Sequence, residues 1–413
     1  MQHRETEPGD ADIRLRDLPP ALWAWLGFVA LSQLGDIVLR MGLSWTSTAI
    51  GPIFAGWVTS ATLLPSVLLL LVGGSLGDRY GQRVILLIAT CVSIVQYTLL
   101  TFALHLNAPV TVLLIANAVV SGVLSGIRAP SSIIYARTFV PPEQTRRAIA
   151  CSSAVSQSVS IIAPAAAGLL IAQYALKGAV LFDLATFILL LSGLLLLQPR
   201  YLPPPPTRRP PMITHLREGL TQWSRQREIV TLTVGVSLMA GTVMPLVGLC
   251  LPLYVRSNGW SASDFGVLEA AWSASTLATS LTIAAKGTAT RPIIPLLGGP
   301  FVCAAGTVAL AFTHRLIPAV GCVIIIGLGL MLFTGHASPV FVQLTPEHML
   351  SRFSSILQLS QMLPVGVLSP ALGYLAHHAG LKIVFLIQSC GVLLVMGIIA
   401  HSHRLRHALT NDS

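Results

Sequence analysis

The sequence predicts an all-α, polytopic membrane protein in which twelve transmembrane helices form two pseudo-symmetric bundles of six. Its composition, the regular spacing of its apolar stretches and an internal repeat all predict this fold. Of the 413 residues, 54% are hydrophobic and only 10% are charged, whereas about a quarter of the residues of an average soluble protein are charged. A water-soluble core has no use for so much apolar surface, so we expect lipid to surround most of the chain.

The apolar stretches are long enough to cross a bilayer, which takes about 20 helical residues at ~1.5 Å each. Six of them fall within 21–198 and six within 229–400, which we predict to be the N-terminal and the C-terminal six-helix bundles. The predicted spans are 21–45, 53–76, 84–104, 109–130, 148–173, 178–198, 229–254, 263–285, 293–313, 316–338, 351–376 and 381–400.

A linker at 199–228, rich in proline and arginine, joins the two predicted bundles. Its four consecutive prolines, which begin at Pro203, favour an extended connector. Residues 213–227 have the composition of a short basic amphipathic helix on the membrane surface. We predict that this linker is cytoplasmic, as are a tail at 1–20 and a tail at 401–413.

The positive charges give the predicted orientation. If the N-terminus is cytoplasmic, 20 of the 25 lysines and arginines lie on the cytoplasmic side and four lie outside. This asymmetry follows the positive-inside rule, and it accounts for the net charge of +10 without a nucleic-acid partner. We therefore predict a multi-pass protein of the cell (inner) membrane with both termini in the cytoplasm.

An internal repeat supports the division into two bundles. Residues 142–168 resemble residues 346–373, and both copies begin with Pro-Glu between the fourth and fifth spans of their half. Such a repeat indicates duplicated bundles around a central cavity. Small residues let helices approach closely. We therefore predict helix-packing roles for the residues that close the two copies, which are Pro164, Gly168, Pro370 and Gly373.

A short charged loop separates the second and third spans. It reads Gly-Ser-Leu-Gly-Asp-Arg-Tyr-Gly-Gln-Arg and contains Gly74, Asp78, Arg79, Gly81 and Arg83. This pattern resembles the signature loop of the major facilitator superfamily of secondary transporters, although Gln82 stands where the family often has a second basic residue. The resemblance implies the two-bundle fold and transport by alternating access.

The resemblance also implies that this loop acts as a conformational gate. In the family, the loop aspartate contacts the cytoplasmic end of span 11 and nearby basic groups, which holds that side shut. Here Asp78 would meet the start of span 11 near Arg352, where a helix N-terminus carries partial positive charge. We expect this contact to break when the two halves rock.

Further features resemble the branch of twelve-span bacterial exporters that includes the enterobactin exporter and macrolide-efflux proteins. They are the Leu-Gly-Asp that ends at Asp36, Arg128-Ala-Pro130, the proline linker, and the second Pro-Glu followed by Arg352. Span 5 keeps the proline and last glycine of the antiporter motif Gly-Pro-x-x-x-Gly but has Ala163 in place of the first glycine. The resemblance implies export of a small amphipathic molecule, such as a drug, an antibiotic or a siderophore, in exchange for protons.

Asp36 and Arg40 are ionisable residues inside span 1, and such residues are candidates for function because they are costly to bury. They lie four residues apart and therefore on one helix face. A substrate that displaced Arg40 would let Asp36 take up a proton, so the pair is a candidate coupling switch. The alternative is a permanent ion pair that fastens span 1 to a neighbouring helix.

Glu269 and Trp272 lie three residues apart in span 8. A carboxylate beside an aromatic ring suits a cationic or amphipathic ligand; the alternative is an interfacial carboxylate with an unrelated packing tryptophan. Gln157, Gln358 and Gln361 belong to the repeated segments of spans 5 and 11. These glutamines either line the cavity or make interhelical hydrogen bonds.

Other polar and aromatic residues have predicted structural roles. Asp183 and Asp264 lie near outer helix ends and are predicted to be solvated caps. His336 is predicted to be a hydrogen-bonded packing residue, with proton transfer as the alternative. Tryptophans near the span ends are predicted to be interfacial anchors; they are Trp23, Trp25, Trp45, Trp57 and Trp260.

The sequence has no Gly-x-x-x-x-Gly-Lys-Ser/Thr loop for a nucleotide, and its six cysteines lie isolated in apolar stretches. It shows no nucleophile–base set and no metal-ligand spacing, so we predict a transporter with no catalytic residues, cofactor or metal, powered by the proton gradient. Its predicted partners are a small-molecule substrate and the lipid bilayer, and we expect a functional monomer. Two alternatives stay open: a proton-symport importer of a nutrient, and a non-transporting membrane sensor with the same fold.

Overall fold

The computed structural model describes residues 18–106, 108–201, 220–402 and 405. Within these ranges the chain is helical and contains no strand. Its helices correspond to the twelve predicted spans, which confirms the predicted fold class. The first four are α1 (Pro20–Ile50), α2 (Pro52–Tyr80), α3 (Gln82–His105) and α4 (Val110–Ala136).

The fifth and sixth spans follow each other directly within Thr145–Leu196, with a sharp kink between them. Ala175 has φ 52° and ψ −153°, a backbone region that is essentially reserved for glycine. We therefore divide the segment into α5 (145–174) and α6 (176–196), in agreement with the break predicted between 173 and 178.

The second half begins with α7, which covers Arg227–Ser257 and contains a wider five-residue turn at Leu246–Cys250, directly after Pro245. Proline inside a helix removes one backbone hydrogen bond, which accounts for an irregularity at this point. The remaining helices are α8 (Ala262–Lys286), α9 (Ile293–Ala311), α10 (Leu316–Leu344), α11 (Leu350–Ala379) and α12 (Leu381–His401).

Short glycine and proline turns separate consecutive helices. Pro52 begins α2, a position where the missing N–H of proline costs nothing. Gly81 between α2 and α3 has φ 86°, and Gly380 between α11 and α12 has φ 84°. Both are left-handed conformations that favour glycine, so these residues set the reversals that fold the helices into bundles.

The helices make this a multi-pass membrane protein. In the described part of the chain, ten helical segments are long and apolar enough to span a bilayer. The segment Arg147–Leu196 accounts for two spans, whereas α8 is not among the ten. α8 is long enough, but it carries Asp264, Glu269 and many serines and threonines.

The two bundles are α1–α6 and α7–α12. One end of the molecule carries the loops α2–α3, α4–α5, α8–α9 and α10–α11 and most of the basic residues; we call it the basic face and the other end the opposite face. Of the predicted linker, residues 202–219 lie outside the described residues, as do 1–17 of the first tail and 403–404 and 406–413 of the second. The predicted amphipathic helix is described only from residue 220, where one helical turn at 220–223 packs against α7 through Trp223.

The bundles contact each other through small residues between the opposite face and mid-membrane. A Cβ added to Gly56 of α2 would lie 2.9 Å from the Pro370 Cα of α11. Gly373 likewise meets the backbone of Pro52, and the Ser60 hydroxyl donates to the Gly366 carbonyl. Such contacts bring helix backbones together in the way that small residues allow.

Two of the tryptophans predicted to be interfacial anchors have other environments. Trp25 is 1% exposed and packs against Tyr135 and Phe139, so its prediction is wrong. Trp45 stacks on Phe265 of the second bundle, with ring centroids 6.1 Å apart. The position of a tryptophan near a helix end therefore did not predict the environment of these two rings, because neighbouring helices pack against them.

Candidate functional site

The first bundle contains a cluster of charged side chains within the membrane-spanning region. Arg128 of α4 donates from Nη2 to Oδ2 of Asp36 on α1 at 2.6 Å. The prediction that Asp36 pairs with Arg40 is therefore wrong for this structure. Helix periodicity favours a partner four residues away, but the packing of α4 against α1 brings in a cation 92 residues away in the sequence.

Asp183 of α6 is the third charged member of this cluster. It is 0% exposed, so the prediction of a solvated cap is wrong for Asp183, whereas Asp264 does cap α8 through Ser261. Asp183 lies in the electrostatic field of both Asp36 and Arg128. We call Asp36, Arg128 and Asp183 the charge cluster.

Local packing fixes the positions of these three side chains. Gly35 lets α6 approach α1, because a Cβ at residue 35 would collide with Asp183 Oδ1 and with the Thr186 hydroxyl. The Arg128 guanidinium lies 4.7 Å from the ring centroid of Phe187 on α6, a favourable cation–π distance. The Leu-Gly-Asp sequence thus supplies both the carboxylate and the small residue beside it.

The hydrogen bonding of the charge cluster is incomplete. The Thr186 hydroxyl has one hydrogen, which it shares between the Asp183 backbone carbonyl at 2.8 Å and Asp183 Oδ1 at 3.1 Å. Two buried atoms, Asp183 Oδ2 and Arg128 Nη1, have no hydrogen-bond partner among the described residues. Buried polar groups are usually paired, so each unpaired atom calls for an explanation in terms of function.

Polar residues of α3 and α4 surround the cluster. Tyr97 is 4% exposed and lies in the field of all three charged groups. Next to it on α3, Gln96 donates to the Asn117 side chain at 2.7 Å and to Ser121 at 2.9 Å. Asn117 thus takes part in hydrogen bonding between α3 and α4.

Asp36 is the accessible member of the charge cluster. Its side chain is 35% exposed, against 16% for Arg128. Asp36 lies four residues before Arg40, whose charge acts on Glu269 of the second bundle. This side of α1, with Asp36 on it, therefore faces the space between the bundles.

Arg40 and Glu269 approach each other across the two bundles. Arg40 of α1 is exposed, and its positive charge acts on Glu269 of α8. The two side chains are farther apart than the members of an ion pair. Trp272, predicted as the aromatic partner of Glu269, is half-buried and packs against the apolar core. The structure thus brings Glu269 to the inter-bundle space together with a cation of α1.

The predicted glutamines lie in different environments. Gln157 of α5 and Gln358 of α11 are exposed. Gln361 donates to the Leu357 carbonyl at 3.3 Å and lines a small pocket within the second bundle. The other lining residues are Val236, Thr334, Ala337, Ser338, Phe341 and Leu357.

The signature loop lies at the basic face. Both Arg83 Nε and Nη2 donate to the Leu194 carbonyl at the end of α6, at 3.3 and 2.8 Å, which ties the loop to its own bundle. Arg79 is exposed and lies over the Tyr80 ring. The surroundings of Gly74 and of the Asp78 side chain lie outside the described residues, so the predicted contact of Asp78 near Arg352 stays a prediction.

A cation connects the two bundles near the opposite face. Arg256, in the last turn of α7, donates from Nη2 to the Trp45 carbonyl at 2.6 Å and from Nε to the Thr48 hydroxyl at 3.1 Å. Its guanidinium carbon also lies 3.9 Å from the Trp45 ring centroid. The sequence placed Arg256 among the outer loop charges and gave no signal of this contact.

Two membrane-spanning bundles that meet through small residues, with a charge cluster inside one of them, define a polytopic membrane transporter. The chain belongs to the Major Facilitator Superfamily, whose family model matches residues 25–370.

Two curated relatives share this assignment. An uncharacterized MFS-type transporter of Mycobacterium tuberculosis is 30% identical over 154 residues, which are 37% of this chain and 26% of that protein. An uncharacterized MFS-type transporter of Sinorhizobium fredii is 26% identical over 261 residues, which are 61% of this chain and 62% of that protein. The matched region thus covers about a quarter of the Mycobacterium tuberculosis protein and less than two thirds of the Sinorhizobium fredii protein.

Solved structures share the fold at low sequence identity. The POT family transporter PepTSo has a TM-score of 0.75 and 10% identity, with 96% of this chain and 99% of that chain covered. A bacterial homologue of the human lysosomal transporter Spinster, in an inward-facing and unoccupied conformation, has a TM-score of 0.69 and 14% identity, with 95% and 97% covered. A D-xylose-proton symporter has a TM-score of 0.69 and 13% identity, with 91% and 98% covered.

Proposed function

We propose that this transporter exports a small amphipathic molecule from the cytoplasm in exchange for protons. The observation that carries the proposal is the ion pair between Asp36 and Arg128 inside the membrane-spanning region. An ion pair there is expensive unless it has a function, and Asp36 is accessible from the space between the bundles. A substrate cation can compete with Arg128 for this carboxylate, and the displacement of Arg128 can be coupled to the release of a proton from the charged residues around it.

The sequence features that resemble the enterobactin-exporter and macrolide-efflux branch support the direction. Asp36 and Arg128 belong to two of those features, Leu-Gly-Asp and Arg-Ala-Pro. A drug, an antibiotic or a siderophore is the proposed class of substrate. Glu269 and Arg40 are the proposed contacts for its charged groups, with Gln157, Gln358 and Gln361 as polar contacts.

The contacts between bundles support an inward-facing state, if the basic face is cytoplasmic as the charge distribution favours. The bundles meet from the opposite face to mid-membrane, at Gly56, Gly168 and Arg256. Both termini are then cytoplasmic, in the inner membrane. In the alternate state, we propose that the signature loop closes the basic face through Asp78 and the start of α11.

Inverted membrane vesicles give the test. Ethidium is a lipophilic cation whose fluorescence reports accumulation, and vesicles with an acidic interior should accumulate it in a way that a protonophore abolishes. The Asp36→Asn variant should lose accumulation, and the Asp264→Asn variant, altered at a helix cap instead, should keep it. Gradient-driven uptake into right-side-out vesicles, or uptake by Asp36→Asn at the wild-type rate, would contradict the proposal.

A further inference from the structure

We propose that Asp183 carries the transported proton, and that Arg128 moves from Asp36 to Asp183 when a monovalent organic cation binds Asp36. This inference rests on the proton exchange proposed above and adds to it the residue that holds the proton and the charge of the substrate. Three features of the charge cluster lead to it.

The first feature is the charge balance. Two carboxylates and one guanidinium carry a net charge of −1 if both acids are ionised. The other titratable group packed against Asp183 is Tyr97 of α3, a phenol that is neutral near pH 7. Because a buried uncompensated charge is strongly unfavourable, one bound proton makes the cluster neutral.

The second feature is the difference in exposure. Asp36 is 35% exposed at its side chain and holds Arg128, whereas Asp183 is 0% exposed. The ionised carboxylate is therefore the one with the cation and access to water. The bound proton then belongs on Asp183.

The third feature is the pair of unused polar atoms. Asp183 Oδ2 is an acceptor and Arg128 Nη1 is a donor, and both are buried without a partner among the described residues. Arg128 lies close enough to Asp183 for its charge to act on that carboxyl. We therefore infer that a rotation of Arg128 towards α6 pairs these two atoms once Asp36 no longer holds the guanidinium.

The exchange reaction conserves charge. In the state described here, Arg128 pairs with ionised Asp36 and Asp183 carries a proton on oxygen. A monovalent cation that binds Asp36 displaces Arg128, which pairs with Asp183, and the O–H proton of Asp183 leaves to water. One positive charge is bound and one is released, so the cluster stays neutral in both states.

Infrared spectroscopy of the purified protein in lipid nanodiscs tests the position of the proton without a substrate. The wild type at neutral pH should show the C=O stretching band of a protonated carboxylic acid. Asp183→Asn should lose the part of this band that comes from Asp183, and the matched Asp264→Asn variant should retain the full intensity. A band of unchanged intensity in Asp183→Asn, or the absence of the band from the wild type, would overturn the inference.

A second variant covers the case in which Asp183→Asn does not fold. Thr186→Val leaves the acid in place but removes the hydroxyl, whose one hydrogen is shared between the Asp183 backbone carbonyl at 2.8 Å and Asp183 Oδ1 at 3.1 Å. The band should then shift to higher frequency, because the acid loses its share of this hydrogen bond. An unshifted band would assign the protonated acid to another residue.

The release of protons on ligand binding tests the exchange. Ethidium added to the wild type in weakly buffered solution should release protons, whereas Asp183→Asn should bind ethidium and release none. Equal release by the two proteins would overturn the inference even if transport is proton-coupled. If wild-type vesicles show no gradient-driven transport, the proposed function fails, and the infrared band still reports where the proton lies.

Discussion

Gly168 of α5 and Gly266 of α8 meet backbone to backbone across the two bundles. A Cβ added to Gly168 would lie 2.9 Å from the Gly266 Cα and 3.0 Å from the Ala262 carbonyl oxygen. Real Cβ atoms do not approach other atoms so closely, so this crossing requires glycine on both helices. The contact therefore exists only while the bundles are closed towards the opposite face.

Gly266→Val should shift the protein away from this closed arrangement. Overpacking a close contact costs about 1 to 3 kcal/mol, which is enough to change the balance between two conformations of similar free energy. Spin labels at Leu106 and Ile317, exposed residues of the two bundles near the opposite face, should report a longer distance. Gly298→Val is the control, since no atom lies within 4 Å of a Cβ built there; equal distances in both variants would argue against this role of Gly266.

Arg256→Gln should also favour opening at the opposite face. The substitution removes the cation that lies over the Trp45 ring and the charged donor to its carbonyl, which together contribute about 1 to 3 kcal/mol. The same spin-label distance checks the result. Arg315→Gln changes an exposed arginine near the same face and should leave the distance unchanged.

Asp36 and Arg128 should show strong energetic coupling. Asp36→Asn leaves the half-buried guanidinium of Arg128 without its partner, so it should lower the thermal stability. The Asp36→Asn/Arg128→Gln double variant should lose less stability than the sum of the losses in the two single variants. Direct contacts of this kind show coupling energies of about 0.5 to 3 kcal/mol. Denaturation of the four proteins in one detergent gives the measurement, and strictly additive effects would mean that the ion pair contributes nothing.

Ala175→Gly should stabilise the protein. Ala175 holds φ 52° and ψ −153°, and a non-glycine residue in such a conformation carries about 1 to 3 kcal/mol of strain. Glycine relieves most of this strain, at a smaller cost in unfolded-chain entropy. The melting temperature should rise for Ala175→Gly and fall for Ala179→Gly, an alanine within α6; a fall in both would show that the kink is not strained.

The fold was predictable because helix length and hydropathy are local properties. Each of the twelve apolar stretches gave a helix at the expected place, including α8, whose polar residues lower its hydropathy. The kink at Ala175 was predicted as a break, but its backbone conformation was not. A single alanine in a left-handed conformation is determined by the packing of α5 and α6, which no local pattern contains.

The site was predictable only in part. Asp36 was identified from its position inside a span, whereas its partner was sought four residues away on the same helix. Arg128 was noted only as part of the Arg-Ala-Pro feature, although its place two turns before the end of α4 was a signal of burial. Asp183 was placed at a helix end by counting residues, but Gly35 and the neighbouring helices enclose it.

The glycine crossings between α5 and α8 and between α2 and α11 also have an electrical consequence. Backbones in direct contact at Gly168 and Gly56 leave no room there for a file of water molecules, along which ions could leak down the membrane potential. The glycines at these two positions thus exclude water and ions from the contact between the bundles as well as allowing the helices to meet.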